Sequence, residues 1–227
     1  MQYRVEQKFI IAQSQMSILQ SRLYDFMEKD HNQTGNGYGI RSLYFDDYND
    51  NCTKENEAGI GQREKLRIRI YNGDTDFIRL EQKSKYNSYT QKESAVISKQ
   101  DCIQCMNGEI PVIDENSPFL LKKLYVKMQS QYLHPVTIVE YERSAYIGRL
   151  GNVRITFDQN ICACSDINSF MDHDIYGVPL FEKGFHILEV KYDEFLPDYL
   201  RDILCMCSLQ QSSFSKYYYA RNNVMLY

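Results

Sequence analysis

The 227-residue sequence has little that would divide it: five prolines, eleven glycines and no low-complexity run leave no linker. A single domain over residues 1–227 is therefore expected. No run approaches the ~20 apolar residues needed to cross a bilayer, and the amino-terminal stretch lacks a hydrophobic signal core. The expectation is a soluble, cytoplasmic protein without a membrane span. A basic excess is missing as well. The net charge of −4 argues against a general nucleic-acid binder, whose surface is basic overall, yet leaves room for a local anion site.

Cysteine is too sparse for a disulfide scaffold. The seven thiols, Cys52, Cys102, Cys105, Cys162, Cys164, Cys205 and Cys207, are odd in number and dispersed, so they are expected to be reduced. Cys102-Ile103-Gln104-Cys105 has the spacing of half a zinc site, but no matching second pair exists and both cysteines fall on one helical turn. Zinc is not expected. Gly59-Ile60-Gly61 is followed by no Gly-Lys-Ser/Thr and opens no helix, which excludes a Walker-type nucleotide loop.

What the chain does have is alternation. From Arg63 to Tyr71, Arg63, Lys65, Arg67 and Arg69 share one parity and Leu66, Ile68 and Ile70 the other. Successive strand side chains point to opposite faces, so one face is cationic and one apolar. Asn72-Gly73-Asp74 supplies a turn, and Glu81, Lys83 and Lys85 then share a parity opposite Leu80. The same device returns at Arg4-Val5-Glu6-Gln7-Lys8, Tyr141-Glu142-Arg143, Arg154-Ile155-Thr156-Phe157-Asp158 and Glu189-Val190-Lys191. One such strand is an ordinary solvated face; repeated across the chain, the pattern points to a barrel with a charged lumen and an apolar exterior.

In chain order the pattern predicts a strand from Tyr3 to Ile11, then a helix capped by Ser14 with Met16, Leu19, Leu23 and Phe26 as its apolar stripe. Strands follow at Tyr38–Asp46, 63–71, 78–85 and Thr90–Ile97, with a loop or short helix over Asp47–Gly61. Helices are predicted at Asp101–Asn107 and Ser117–Gln131. Pro135 opens a strand over Val136–Tyr146, and a turn at Gly148–Asn152 leads into Val153–Gln159. After an irregular stretch come a strand at His186–Tyr192, a helix from Leu196-Pro197 to Cys207, and a polar loop at Gln210–Tyr217. The fold class is α+β: an antiparallel β-barrel or tunnel of about eight strands with helices packed outside.

These segments together resemble the VTC domain of polyphosphate polymerases, within the triphosphate tunnel (CYTH) superfamily. The resemblance covers nearly the whole chain. It rests on Glu6-Gln7-Lys8, Ser42-Leu43-Tyr44-Phe45-Asp46, Arg63 to Tyr71, Leu80-Glu81-Gln82-Lys83, Tyr141-Glu142-Arg143, Val153 to Asp158, Leu188 to Tyr192, and Phe214-Ser215-Lys216-Tyr217, in that order. It implies an antiparallel tunnel holding a triphosphate and a divalent metal, Mn or Mg. It implies Lys8, Arg67, Arg69, Lys83, Arg143 and Arg154 as phosphate ligands, with Lys191, Lys92, Lys85 and Arg41 as further candidates. Lys216, Ser213 and Ser215 resemble the late loop that closes on the terminal phosphate. Glu189 resembles the metal carboxylate, with Glu6 and Glu81 as second candidates.

The activity so implied transfers the terminal phosphate of ATP to polyphosphate or inorganic phosphate. Tunnel hydrolases typically begin with two carboxylates and a lysine at alternating positions, whereas here the first of those positions is Arg4. A triphosphatase and a non-catalytic polyphosphate or nucleotide sensor are the alternatives. The four histidines, His31, His134, His173 and His186, lie outside all these motifs and carry no expected role.

Overall fold

In the computed structural model, residues 4–33, 35–86 and 89–222 are described. Ten strands and six helices follow in the order β1 (Val5–Ala12), α1 (Gln13–Tyr24), β2 (Glu28–Lys29), β3 (Tyr38–Asp46), α2 (Asn51–Glu57), β4 (Gln62–Tyr71), β5 (Asp74–Tyr86), β6 (Tyr89–Ile97), α3 (Lys99–Met106), α4 (Phe119–Gln131), β7 (His134–Gly148), β8 (Val153–Cys164), β9 (Val178–Pro179), β10 (Phe185–Tyr192), α5 (Asp198–Cys205) and α6 (Lys216–Asn222). The expected start of the first strand, Tyr3, lies outside the described residues.

One antiparallel sheet runs β1-β10-β8-β7-β3-β4-β5-β6, and the two-residue strands β2 and β9 attach to β7 and β8. Those eight long strands are the eight expected. Among the described residues no ladder joins β1 to β6, so the sheet curls without a closing seam. A side-chain contact spans the gap: Lys83 Nζ on β5 lies 3.0 Å from Glu6 Oε2 on β1.

The central ribbon forms as its pattern demands. Asn72 and Gly73 have φ of 52° and 71°, the two left-handed residues of a two-residue hairpin turn whose twist matches its strands. Register pairs Arg67 with Glu81 and Lys65 with Lys83, so the charged parities of β4 and β5 share one face. That face carries on around the sheet. Tyr44 pairs with Arg67, Arg143 with Asp158, and Lys8 with Glu189.

The opposite parity is apolar and covered by helices. Leu43, Phe45, Leu66, Ile68, Ile70, Ile78 and Leu80 pack with Leu120, Leu121, Leu124 and Met128 of α4 and with Cys102 and Cys105 of α3. Each fully buried aliphatic side chain contributes about 1.5–3 kcal/mol. Ile155, Phe157, Leu188 and Val190 pack with α1 and α5. All seven cysteines are free thiols, and Cys102 and Cys105 are buried core residues.

Several expectations need revision. Ala12 rather than Ser14 is the α1 cap, with its N–H donating to Gln15 Oε1 at 2.9 Å. Phe26 falls beyond the helix and is 56% exposed, while Met27 is buried in its place. β8 runs five residues past its predicted end, to Cys164, beyond a register shift opposite Glu140 and Glu142. The tail is a loop only as far as Ser215 and is not polar throughout. Phe214 and Tyr217 are buried, and Lys216 begins a helix.

That helix, α6, packs against β7 and β8 on the lumen side: Tyr217 meets Tyr44 at a ring-centroid distance of 5.3 Å. With Leu180, Phe181 and Phe214 it covers Ile40, Val139, Tyr141 and Ile187. The lumen is therefore divided into an apolar part beneath α6 and a charged part beside it.

Candidate functional site

The charged part is a cavity of about 970 Å³, at the upper end of ordinary ligand pockets. Among the described residues, eleven Lys and Arg side chains line it against four Asp and Glu, although the chain as a whole is acidic. Such a concave, single-sign surface focuses potential on an anion.

Most of the residues singled out from the sequence converge here. Lys8, Arg67, Arg69, Lys83, Arg143, Lys191, Lys216, Ser213, Ser215, Glu6 and Glu189 all line the cavity, as does Lys85. Arg154, Lys92, Glu81 and Arg41 are not among its lining residues. Arg154 is held away by Asp30 at 2.6 Å and Tyr38 at 3.1 Å. Glu81 lies beneath the wall, bracing Arg67 at 2.8 Å, Arg69 at 3.5 Å and Lys92 at 2.5 Å.

Arg41 lies on the other face, with the parity of Leu43 and Phe45. There it pairs with Glu140 at 2.8 Å and donates to the carbonyls of Phe170, Asp172 and His173. It ties the irregular 166–174 segment to the sheet. None of the four histidines lines the cavity.

The wall also holds residues to which the sequence reading gave no site role: Arg4, Arg63, Lys65, Tyr44, Tyr141, Asn56 and Ser212. The signal for Arg63 and Lys65 was present, since they share the parity of Arg67 and Arg69. Asp158 lies just under the wall and is fully buried. It grips Arg143 through two bonds of 2.6 and 2.7 Å and Lys216 at 2.5 Å.

Charge pairing sets the protonation states. Burial alone would raise the Glu189 carboxyl, but Lys191, Lys216, Lys8 and Arg143 outweigh it and hold it well below the usual carboxylate range. Asp158 is lowered in the same way, burial being outweighed by Arg143 and Lys216. Glu6 is held low against burial by Lys191, Lys83 and Lys8, and Glu81 is brought to about 2 by Arg67, Arg69 and Lys92. Burial depresses Lys65 and Lys83 to about 8. Burial would raise Tyr44, yet Arg67 and Arg69 bring it down to about 8.

Among the described residues no three His, Cys, Asp or Glu side chains cluster as a metal cage. Glu6 and Glu189 nevertheless share the wall, each within 4 Å of Lys8 Nζ, at 3.3 and 3.8 Å. This oxygen donor set fits a hard cation of the magnesium type, which takes one or two carboxylates and completes its shell with phosphate oxygens and water. Glu81 does not fit that role, because it lies apart beneath Arg67, Arg69 and Lys92.

An antiparallel sheet curled around a cationic cavity defines the class: the CYTH-like, triphosphate-tunnel fold. The family model described as the VTC domain matches residues 3–225, and the chain belongs to that family. A Bacillus halodurans protein provisionally described as an adenylate cyclase is similar over 94% of both chains, at 14% identity and a TM-score of 0.56, which shows the shared fold. A Pyrococcus horikoshii OT3 protein aligns over 92% of both chains at 14% identity and a TM-score of 0.46. The Mimivirus capping enzyme triphosphatase aligns over 88% of this chain and 87% of its own at 12% identity and a TM-score of 0.38. No curated protein matches the chain.

Proposed function

We propose that the protein is a polyphosphate polymerase, transferring the terminal phosphate of ATP to inorganic phosphate or a growing polyphosphate chain. The observation that carries this reading is the convergence of basic side chains from β1, β4, β5, β7, β10 and α6 on one cavity. Phosphoryl transfer passes through a loose transition state, so the protein's work is positioning and charge stabilisation rather than covalent chemistry.

Arg67, Arg69 and Arg143 suit that work, because guanidinium grips phosphate oxygens in pairs and keeps its charge. Each is held in place by Glu81 or Asp158 before any ligand arrives. Lys8, Lys83, Lys191 and Lys216 add point charges around the same space. Ser213 and Ser215 offer hydroxyls from the segment leading into α6. A divalent cation, Mn or Mg, would be held by Glu189 with Glu6 and would supply positive charge that offsets the charge of the phosphates.

Support for transfer over hydrolysis comes from the start of the first strand, where no carboxylate stands at position 4 to orient or activate water. Position 4, where a tunnel hydrolase typically places a carboxylate, is an arginine beside Asp193 at 3.5 Å. Incubation with ATP and Mn, followed by gel separation, tests the reading. A ladder of phosphate polymers is expected; orthophosphate or pyrophosphate alone replaces the proposal with a hydrolase, and binding without turnover replaces it with a sensor.

A further inference from the structure

Arg154, the basic residue of β8, shares the parity of Asp158 yet does not line the cavity. One nitrogen holds it there. Nη2 donates to Asp30 Oδ2 at 2.6 Å and to the Tyr38 hydroxyl at 3.1 Å, whereas Nε is buried and has no hydrogen-bond partner among the described residues. Arg143 is gripped differently, because its Nε and Nη2 both donate to Asp158, at 2.6 and 2.7 Å. The Arg154 guanidinium therefore keeps a donor that a two-oxygen acceptor such as phosphate would use.

Asp30 is the fixed half of this pair. It is 4% exposed, its N–H donates to the Ala145 carbonyl at 3.0 Å, and its Oδ1 accepts from the N–H and the side-chain amide of Asn32, both at 3.0 Å. Gln33 ties the same stretch to β7 by accepting the Ala145 N–H at 2.8 Å. Arg154 is the half that can turn, with a side chain 34% exposed. Register sets it opposite Lys191, which does line the cavity. Directly opposed residues have Cβ atoms about 5 Å apart, so side-chain rotation alone brings an arginine across that gap. An anion seated beside Lys191 thus competes with Asp30 for one guanidinium.

We infer that Asp30 is a positioning residue, a latch that withholds Arg154 from the cavity until bound phosphates draw the guanidinium away. The inference rests on the phosphate-binding reading above. Affinity is lowered in proportion to the fraction of molecules in which Arg154 is withheld. Removing the Asp30 charge therefore strengthens phosphate binding, whereas removing a residue of purely structural role would weaken it or leave it unchanged.

The test is calorimetric titration of inorganic triphosphate into wild type, Asp30→Asn, Arg154→Gln and the double variant, with urea unfolding of each. Asp30→Asn should bind about tenfold more tightly, since a guanidinium freed from its carboxylate is available for a charge-assisted bond to phosphate. The gain should vanish in the double variant, whose affinity should equal that of Arg154→Gln. Tyr38→Phe removes the second hold without touching a buried charge and should bind about threefold more tightly. Unchanged or weaker affinity in a cooperatively unfolding Asp30→Asn overturns the latch; where Asp30→Asn does not fold, the same result in Tyr38→Phe does so. A gain that persists in the double variant also overturns it, because Asp30 then acts through its charge and not through Arg154. A wild-type chain that binds no triphosphate overturns the phosphate-binding reading, and the latch with it.

Discussion

Replacing Asp158 by Asn removes one negative charge from a fully buried site and leaves the shape nearly unchanged. Its carboxylate holds Arg143 at 2.6 Å and Lys216 at 2.5 Å, so both cations lose their shortest partner. Glu189 then faces Arg143 at 3.5 Å, Lys216 at 3.3 Å, Lys191 at 3.0 Å and Lys8 at 3.8 Å. Two carboxylates, Glu189 and Glu6 at 3.3 Å from Lys8, are left to face these four cations, and Glu189 reaches Arg143 and Lys216 less closely than Asp158 does. Breaking a buried pair by removing one partner costs about 3–5 kcal/mol. In a chain of this length each kcal/mol moves Tm by about 2–4 °C, so a fall of roughly 6–20 °C is expected.

Urea unfolding, with and without inorganic triphosphate, is the assay. A bound triphosphate supplies the missing negative charge to Arg143 and Lys216, so it should stabilise Asp158→Asn more than it stabilises wild type. The pH dependence has a definite sign. Because Arg143 and Lys216 hold the Asp158 carboxyl below its unfolded value, its contribution is complete above about pH 4 and is lost as pH falls through the lower folded value. The variant should lack that acid-side component. A destabilisation under about 1 kcal/mol, or equal stabilisation of both proteins by triphosphate, would refute the pairing argument.

Three further outcomes are expected. Anion affinity should decline as pH rises past about 8, because Lys65 and Lys83 lose positive charge there while Tyr44 gains negative charge; titration of Lys65→Arg/Lys83→Arg should show the decline displaced to higher pH, since arginine stays protonated. Glu189→Gln should abolish turnover of ATP while triphosphate binding, measured by calorimetry, is retained or tightened, because four cations lose a competing carboxylate; retained turnover would remove Glu189 from the metal role. Arg41→Gln should lower stability by about 1–3 kcal/mol in urea unfolding through unpaired carbonyls, with triphosphate affinity unaltered, and a loss of affinity would return Arg41 to the site.

The strands were legible because their signal is local. A period of two places Arg63, Lys65, Arg67 and Arg69 on one face whatever the rest of the chain does, and Asn-Gly between two such runs specifies a tight hairpin. Arg41 shows the limit of counting cations: its neighbours at the same parity are Leu43 and Phe45, which mark the outer face. The polar look of residues 210–217 concealed Phe214 and Tyr217, since nothing local announces burial beneath a surface built from β3, β7 and β10.

What the amino-acid order settled alone was the strand set, its two-faced character and a lumen lined with cations. Folding decided which carboxylate serves which cation. Asp158 is 58 residues from Lys216 in the chain and Glu6 is 77 from Lys83, yet each pair is in contact. Side-chain parity is carried by the backbone of a single strand, whereas ion pairing depends on distances between strands, which only the curled sheet and the seating of α6 determine.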